Sequence, residues 1–345
     1  MKHEPSIGVI VPNYNDSRYL PRCLRSVLDQ ENGPQELVVI DDRSTDDSVA
    51  VIRGLIAGDP RARLELNPVN LGANRTVCQA LERVRTDYAL FLAANDFLLP
   101  GMFARARREL ARNPDAGLWS AMALLVDEED RPIRLHPSAV VSMHDVYLPP
   151  ERCARLAYRL GYWFTGTTAI YHCDTLRAVG GFDPVYGAPA DLFAALAVSG
   201  RQGAIFSPEP LAAIRIHEGS YSSRALSDVA GIERMIRELE TRAPRIAPAM
   251  FTPGMVQRTA LRYRFACVRS AGGALLQEIA GRSTGWRRPA LRLLDKLIPT
   301  AMSWLRIAIS FFILRPFDAL PLLWYRGFGW LLVRSRTGFI GRLID

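Results

Sequence analysis

Polar side chains suited to chemistry stand at three points of the chain, each directly after a short apolar run. They are Asn13 and Asp16, the pair Asp41 and Asp42, and Asn95 with Asp96. Carboxylate and amide oxygens accept hydrogen bonds from the N–H groups of a nucleotide base. Carboxylates also bind hard divalent cations and remove protons from hydroxyl groups. The pattern predicts a site that binds a polar ligand and carries out acid–base chemistry.

The apolar runs predict buried strands that alternate with helices. The predicted strands are Ile7–Val11, Leu37–Ile40, Leu64–Leu66, Tyr88–Ala93 and Leu118–Val126. Helical spacing of apolar residues predicts helices over about residues 17–30 and 73–84. This alternation is typical of βαβ units and predicts an α/β fold with a mostly parallel central sheet flanked by helices. Ligands bind such sheets at the carboxyl ends of the strands, so the three polar clusters are expected to meet there.

Several classes of protein are excluded by what the sequence lacks. The first turn has no G-x-G-x-x-G segment and the chain has no G-x-x-x-x-G-K-[ST] segment, which argues against a dinucleotide dehydrogenase and a P-loop enzyme. The five cysteines are widely spaced and form no C-x-x-C pair, so a disulfide framework or a zinc site is not expected. Because the N-terminus shows no apolar leader with a cleavage site, we expect a cytoplasmic protein.

The net charge of +8 is unevenly distributed along the 345 residues. Residues 1–230 contain 24 Lys or Arg and 28 Asp or Glu, whereas residues 231–345 contain 19 and 7. The apolar run 297–314 is interrupted by one charge, Arg306, and is at the short end of the roughly 17–25 residues that span a bilayer. Nothing in the chain resembles a nucleic-acid recognition module.

Aromatic and basic residues alternate in the last fifty residues of the chain. They are Trp304, Trp324, Tyr325 and Trp330, with Arg306, Arg315, Arg326, Arg334 and Arg336. This mixture is typical of helices that lie at the headgroup level, with guanidinium groups facing anionic lipids. Packing of these helices on the rest of the chain or on a second subunit is the alternative.

Six segments, in order over about the first 225 residues, resemble the family 2 glycosyltransferases, which are inverting enzymes on the nucleotide-sugar-binding GT-A fold. They are VIVPNYND (9–16), VVIDDRSTDDS (38–48), NLGANR (70–75), FLAANDFLLPG (91–101), GGFDP (180–184) followed by Ala190 and Asp191, and IRIHEGSYS (214–222). The resemblance implies a nucleotide-diphospho-sugar transferase with a GT-A domain over residues 1–228. Residues 229–345 are then a basic, apolar-rich helical region that is expected to associate with a membrane.

The resemblance implies roles for residues at the predicted donor site. Asp42 would accept a hydrogen bond from the base, which Pro12 and Tyr14 would line, and Arg75 would reach the diphosphate. Simpler roles remain open: Asp41 and Asp42 could cap the next helix, Tyr14 could be an ordinary turn aromatic, and Arg75 could be a solvated arginine at a helix start.

The segment Ala93-Ala94-Asn95-Asp96 departs from the family pattern, which is usually D-x-D-D. The family's third position supplies a carboxylate to Mn²⁺ or Mg²⁺ on the donor diphosphate, and here that position is Asn95. Since charged oxygen ligands raise the affinity for such a cation, two outcomes are open. Asn95, Asp96 and the family's loop histidine, here His217, hold the cation weakly, or the site depends little on metal.

The resemblance assigns the catalytic base to Asp191, about ten residues after the Gly-Gly-Phe-Asp segment; an N-cap is the simpler alternative. The implied function is inverting transfer of a sugar from a nucleotide-diphosphate donor to a hydroxyl of a glycan or lipid-linked acceptor, in polysaccharide or cell-envelope synthesis. The implied location is the cytoplasmic face of the cell membrane. The departures at Ala93 and Asn95 leave an alternative, a catalytically weak or inactive nucleotide-binding partner subunit in a glycan-assembly complex.

Overall fold

The computed structural model describes residues 4–216, 228–271, 275–299 and 302–316. The strands are β1 (Ile7–Asn13), β2 (Glu36–Asp41), β3 (Ala62–Leu66), β4 (Tyr88–Phe91), β5 (Phe97–Leu98), β6 (Leu118–Val126), β7 (Pro132–Leu135), β8 (Val146–Leu148), β9 (Ile170–His172) and β10 (Ala204–Arg215). The helices up to the end of β10 are α1 (Leu20–Leu28), α2 (Ser48–Ile56), α3 (Ala73–Leu81), α4 (Met102–Arg112), α5 (Pro150–Leu160), α6 (Cys173–Ala178) and α7 (Ala190–Gln202). Those after it are α8 (Val229–Ile246), α9 (Pro253–Ala271), α10 (Leu276–Arg282), α11 (Arg287–Leu297) and α12 (Ser303–Leu314).

The ten strands form one sheet in the order β3-β2-β1-β4-β9-β6-β10-β5, with β7 on β6 and β8 on β10. The strands β3, β2, β1 and β4 are parallel, as the alternation of strands and helices predicts. The short strand β9 is antiparallel to both β4 and β6, so β6 and its parallel neighbour β10 again run in the direction of β4. A mostly parallel sheet is therefore confirmed, with β9 and β5 as the reversed strands in this order.

Two hydrophobic cores cover the two faces of the sheet. Alternate residues of β1 point to opposite faces, so Val9 and Val11 belong to one core and Ile10 belongs to the other. The first core is covered by α1 and α4, through buried residues such as Leu24 and Phe103. The second is larger and includes side chains of α3, α5, α7 and the C-terminal helices. Because both faces are covered, the sheet meets solvent at its edges and at its strand ends.

The described C-terminal helices pack against the second core. Phe251, between α8 and α9, lies with its ring centroid 6.4 Å from that of Phe193 on α7. Arg264 on α9 donates two hydrogen bonds, of 2.7 and 2.8 Å, to the carboxylate of Glu233 on α8. Within the described ranges, no helix has both the length and the hydropathy needed to cross a bilayer.

Arg306 corrects one expectation about the C-terminal region. The sequence favours a guanidinium that faces lipid, but this side chain is 2% exposed and pairs with the carboxylate of Asp295 on α11. Its Nη2 also donates to the Asp295 carbonyl at 3.0 Å. A buried charge needs a partner, and Asp295, near the C-terminal end of α11, supplies it. Trp324, Tyr325 and Trp330, with Arg326, Arg334 and Arg336, lie outside the described residues.

Candidate functional site

The carboxyl ends of β1 and β2 are joined by side-chain hydrogen bonds. Asn13 Nδ2 donates to Oδ2 of Asp41 at 2.8 Å, and the backbone N–H of Ser44 donates to Oδ1 of Asp41 at 2.9 Å. Asp41 is 2% exposed, so its carboxylate holds the turn after β2 in place. Neither Asp41 nor Asp42 caps the next helix, because α2 begins at Ser48 with Asp47 as its N-cap.

Asp42 fixes the loop that leads into α3. Its Oδ1 accepts hydrogen bonds from the backbone N–H of Leu71 at 2.9 Å and from Asn67 Nδ2 at 2.7 Å. Its Oδ2 accepts one from the N–H of Gly72 at 2.8 Å. Gly72 has a φ of +80°, a conformation that favours glycine. The structure thus brings together two of the six segments, 38–48 and 70–75, through one carboxylate.

The other predicted donor-site residues lie around the same edge of the sheet. Tyr14 follows β1 and is 49% exposed. Pro12 is half-buried and stands opposite Ile40 in the pairing of β1 with β2. Arg75 is exposed in the first turn of α3. These positions leave Tyr14 and Arg75 accessible to a ligand, and the contacts predicted for them stay predictions.

Asp96 is buried beneath the end of β10. Its Oδ1 accepts a hydrogen bond of 3.0 Å from the backbone N–H of Arg215, and its Oδ2 accepts one of 2.9 Å from the hydroxyl of Thr167. The residue is 6% exposed. Burial raises the pKa of Asp96 to about 6, although the two hydrogen bonds and the nearby Arg215 charge act in the opposite direction. Both oxygens therefore already have protein partners.

Arg215 was not assigned a role from the sequence, and its side chain connects the Asn95 segment to the acidic turn after β6. Its Nε donates to the carbonyl of Asn95 at 3.0 Å, and its Nη1 donates to the carbonyl of Glu128 at 3.1 Å. The guanidinium also pairs with the carboxylate of Asp130 and lies 4.5 Å from the ring centroid of Tyr19. The available signal was its position in the segment 214–222, two residues before His217. His217 itself lies outside the described residues.

Asp191 lies at the start of α7. It is inside the first turn of the helix, since the N-cap is Pro189. The side chain is partly buried, and its Oδ1 accepts a hydrogen bond of 2.7 Å from the N–H of Leu192. Burial raises the pKa of Asp191, while the backbone hydrogen bonds lower it. A partly buried carboxylate with a raised pKa is a candidate proton acceptor.

A glycine makes room for the Asp191 carboxylate. A Cβ atom added to Gly166 would lie 2.8 Å from Oδ2 of Asp191. Gly166 begins the 3₁₀ turn Gly166–Thr168, whose next residue, Thr167, donates to Asp96. One short turn thus contacts both carboxylates. This turn cannot be predicted from the sequence, because its glycine and threonine residues have no distinctive spacing.

The C-terminal helices contribute to the surroundings of Asp191. The ring of Tyr263 on α9 lies with its centroid 6.3 Å from that of Phe193, two residues after Asp191. The hydroxyl of Tyr171 on β9 donates to the Asp191 carbonyl at 3.4 Å. Burial, with the Asp191 charge as a further cause, raises the pKa of both phenols well above its ordinary value. The environment of this carboxylate is therefore apolar and aromatic.

The described residues do not fit a protein-held divalent cation. Within the described ranges, no three or more His, Cys, Asp or Glu side chains are grouped as metal ligands. Asn95 offers a neutral amide oxygen, Ala93 offers none, and both oxygens of Asp96 accept hydrogen bonds. Hard cations prefer charged oxygen ligands, so this set is poor.

Comparison with known proteins agrees with this architecture. Residues 8–179 match the model of the family described as Glycosyl transferase family 2. The chain belongs to this family, as the six sequence segments predict. A curated relative, the GalNAc(5)-diNAcBac-PP-undecaprenol beta-1,3-glucosyltransferase of Campylobacter jejuni, is 32% identical over 98 residues, which are 28% of this chain and 32% of that protein. The chain spans about a third of the length of the first curated relatives that it matches.

Two solved structures share the fold over most of their length. Residues 1–349 of Staphylococcus aureus TarS, in complex with UDP-GlcNAc, superpose with a TM-score of 0.56 and 16% identity, over 90% of this chain and 91% of that chain. The mannosyltransferase PcManGT of Pyrobaculum calidifontis, in complex with GDP-Man and Mn²⁺, gives a TM-score of 0.51 and 19% identity, over 99% and 88%. The GT-A architecture with its C-terminal helices is therefore confirmed.

Proposed function

We propose that the protein transfers a sugar from a nucleotide-diphosphate donor to a hydroxyl group of a glycan or lipid-linked acceptor, with inversion at the anomeric carbon. The observation that carries the proposal is the position of the Asp191 carboxylate. Asp191 lies at the start of α7, its carboxylate is next to Gly166, and its surroundings are apolar. Family membership supports transfer as the reaction class. The Campylobacter relative, whose printed name contains an undecaprenol-linked glycan, supports the acceptor class.

Asp191 is proposed to act as the general base. Its carboxylate takes the proton of the acceptor hydroxyl as that oxygen bonds to the anomeric carbon, and the bond from this carbon to the diphosphate breaks on the opposite side. A carboxylate whose pKa is raised by burial is a stronger base than an exposed one. The proton ends on Asp191 and the electron pair leaves with the nucleoside diphosphate.

The donor is proposed to bind along the ends of β1, β2 and α3. Oδ1 of Asp42 already accepts two hydrogen bonds and Oδ2 accepts one. Since each carboxylate oxygen has two lone pairs, Oδ2 has an acceptor position for a base N–H. Tyr14 supplies an exposed ring on which the base stacks, and Arg75 offers a positive charge to the diphosphate. Asn95 is proposed to face the diphosphate from the end of β4.

The dependence of the transfer reaction on Mn²⁺ or Mg²⁺ stays a prediction. PcManGT was solved with Mn²⁺ and a nucleotide sugar, but the described residues of this chain give the cation a poor ligand set. The steps proposed above use the side chains of the protein alone. We also propose that the catalytic domain ends near residue 228, and that the chain associates with a membrane through its C-terminal region.

The proposal is tested on the purified full-length chain with a panel of UDP-sugars and GDP-sugars. A ligand that binds the folded state raises its stability by RT ln(1 + [L]/Kd), about 2.7 kcal/mol at a hundredfold excess over Kd. We expect one donor to raise the melting temperature, and NMR of the glycoside product to show the opposite anomeric configuration. A product that retains the configuration, or the lack of any nucleotide-sugar shift, would overturn the proposal. Binding without sugar release would instead favour the inactive partner subunit.

A further inference from the structure

Exposed apolar side chains are concentrated in the last two described helices. Among the described residues, twelve large apolar side chains are exposed to solvent, and six of them fall within residues 286–312. These six are Trp286, Leu293, Leu297, Met302, Trp304 and Phe312. Single exposed apolar residues are ordinary on a protein surface, whereas a concentration of this kind marks an interaction site.

Helix α11 carries an apolar row on the side that faces away from the protein. Leu291 and Leu294 are 0% and 5% exposed and pack into the second core. Trp286, Leu293 and Leu297 are 55%, 54% and 68% exposed. Their spacing of seven and then four residues places them on one face of the helix. The helix is therefore apolar on its inward side and again along an outward row.

A basic row runs beside the apolar row of α11. Arg288, Arg292 and Lys296 are spaced by four residues and are all exposed. The acidic residue of this helix, Asp295, is turned inward, since its carboxylate pairs with Arg306 and is 14% exposed. Residues 286–316 contain six Lys or Arg and one acid, a net charge of +5. The outward side of α11 is thus both apolar and strongly positive.

Helix α12 also exposes large apolar side chains. Trp304, Ala308 and Phe312 are spaced by four residues and all are exposed, with Trp304 at 67% and Phe312 at 60%. The pair of Arg306 with Asp295 ties α12 to α11. The two helices are consequently held together while each presents large apolar side chains to the outside.

We propose that the outward faces of α11 and α12 form a docking surface for a lipid bilayer that contains anionic phospholipids. An apolar row flanked by arginines and lysines is the pattern of helices that lie in the plane of a membrane interface. The apolar side chains enter the boundary of the acyl chains, and the basic row meets the phosphate groups. A second copy of the chain is a poor occupant, because it would bring another net positive surface against this one.

Binding to vesicles is measured by flotation of the full-length chain, without donor or acceptor, so the result does not depend on the proposed transfer. One set of vesicles is phosphatidylcholine alone, and the other contains phosphatidylglycerol as well. We expect binding to the anionic vesicles, weaker binding in high salt, and a loss of about tenfold or more in the triple variant Arg288→Gln, Arg292→Gln, Lys296→Gln. The double variant Leu293→Ser, Leu297→Ser should also lose binding, because its apolar row is removed.

Two control variants test whether binding depends on the outward faces of α11 and α12 or only on the total charge and apolar surface of the protein. Arg25→Gln, Arg53→Gln, Arg85→Gln removes three exposed charges elsewhere, and Ile133→Ser removes an apolar side chain that is 53% exposed. Both should bind as the unmodified chain does, and circular dichroism should show that every variant is folded. Equal binding of all variants, no binding to anionic vesicles, or self-association that only the leucine variant loses would each overturn the proposal.

Discussion

The hydroxyl of Thr167 donates a hydrogen bond of 2.9 Å to Oδ2 of Asp96, 71 residues earlier in the chain. The residue before Thr167 is Gly166, which lies against the carboxylate of Asp191. A single 3₁₀ turn, which contacts β6, β10 and β4, therefore sets the position of one carboxylate and borders the other. Changes at this turn should affect Asp96 and Asp191 separately, depending on which residue is changed.

Replacing Thr167 by Val should destabilise the protein by about 1–3 kcal/mol, because a buried oxygen of Asp96 loses its donor. Urea unfolding measures this loss. The control is Thr241→Val on α8, where the hydroxyl is exposed and bonds only to carbonyls of its own helix. That variant should stay within about 0.5 kcal/mol of the unmodified chain. Equal stability of the two variants would show that the bond to Asp96 is unimportant.

Replacing Gly166 by Ala should lower kcat by about 10- to 100-fold while the protein stays folded, because the new Cβ displaces the Asp191 carboxylate. Steady-state kinetics with the donor found in the screen measures this effect. The control is Gly54→Ala on α2, where a Cβ meets nothing within 4 Å. This change should raise stability by up to about 1 kcal/mol and leave kcat unchanged. A Gly166→Ala variant with full kcat would contradict the placement of Asp191.

Activity should fall in acid with a limb above the ordinary aspartate pKa of about 3.9, because burial raises the pKa of Asp191 and only its deprotonated form accepts a proton. The contribution of Asp191 to the free energy of unfolding changes with pH in the opposite direction to the activity. A raised folded pKa contributes stability below the unfolded pKa, which is lost as the pH rises through the folded pKa. At neutral pH, Asp191→Asn should therefore be at least as stable as the unmodified chain.

Asp96, whose pKa is about 6, is a second group whose protonation would lower the activity in acid. The Thr167→Val variant separates the two, since Thr167 donates a hydrogen bond that lowers the pKa of Asp96, whereas the hydrogen bonds that lower the pKa of Asp191 come from the backbone of Asp191 and Leu192. A kcat/KM limb that stays in place in this variant belongs to Asp191. If the limb instead moves to higher pH, Asp96 controls the reaction and the assignment of the base to Asp191 is wrong.

Replacing Asn95 by Asp should tighten the apparent binding of Mn²⁺, because a charged oxygen takes the place of a neutral amide. The measurement is activity against Mn²⁺ concentration after removal of metal with a chelator. Asn32→Asp is the control, as Asn32 is exposed in the loop before β2, at the opposite end of that strand. Identical Mn²⁺ responses in the two variants would show that Asn95 does not face a cation.

Local pattern was enough to predict the strands that have long apolar runs. Leu118–Val126 is observed with the predicted bounds, and Ile7–Val11 is extended only to Asn13. The three-residue strand β9 has too little pattern to be recognised, and its place between β4 and β6 depends on pairing partners far away in the chain. The order of the sheet could not be predicted for this reason.

The same limit applies to the site. Asp42 and Asp191 can be recognised from the sequence because each stands in a segment that resembles the family. In the structure, Asp42 directly follows β2 and Asp191 lies in the first turn of α7. Arg215 and Thr167 were missed because their partner Asp96 is 119 and 71 residues away, and no local spacing reports such contacts. The apolar neighbours of Arg306 in the sequence favour a side chain that faces lipid. In the structure this side chain is buried and pairs with the carboxylate of Asp295, eleven residues earlier.

The most direct test of the account is to replace Asp191 by Asn and to measure transfer and donor binding on the same preparation. The amide keeps the size of the side chain and cannot accept the acceptor proton. We expect turnover to fall by about 10²-fold or more, as removal of a general base does, with the donor dissociation constant nearly unchanged. Unchanged turnover in a variant that binds donor normally would show that Asp191 is not the catalytic base.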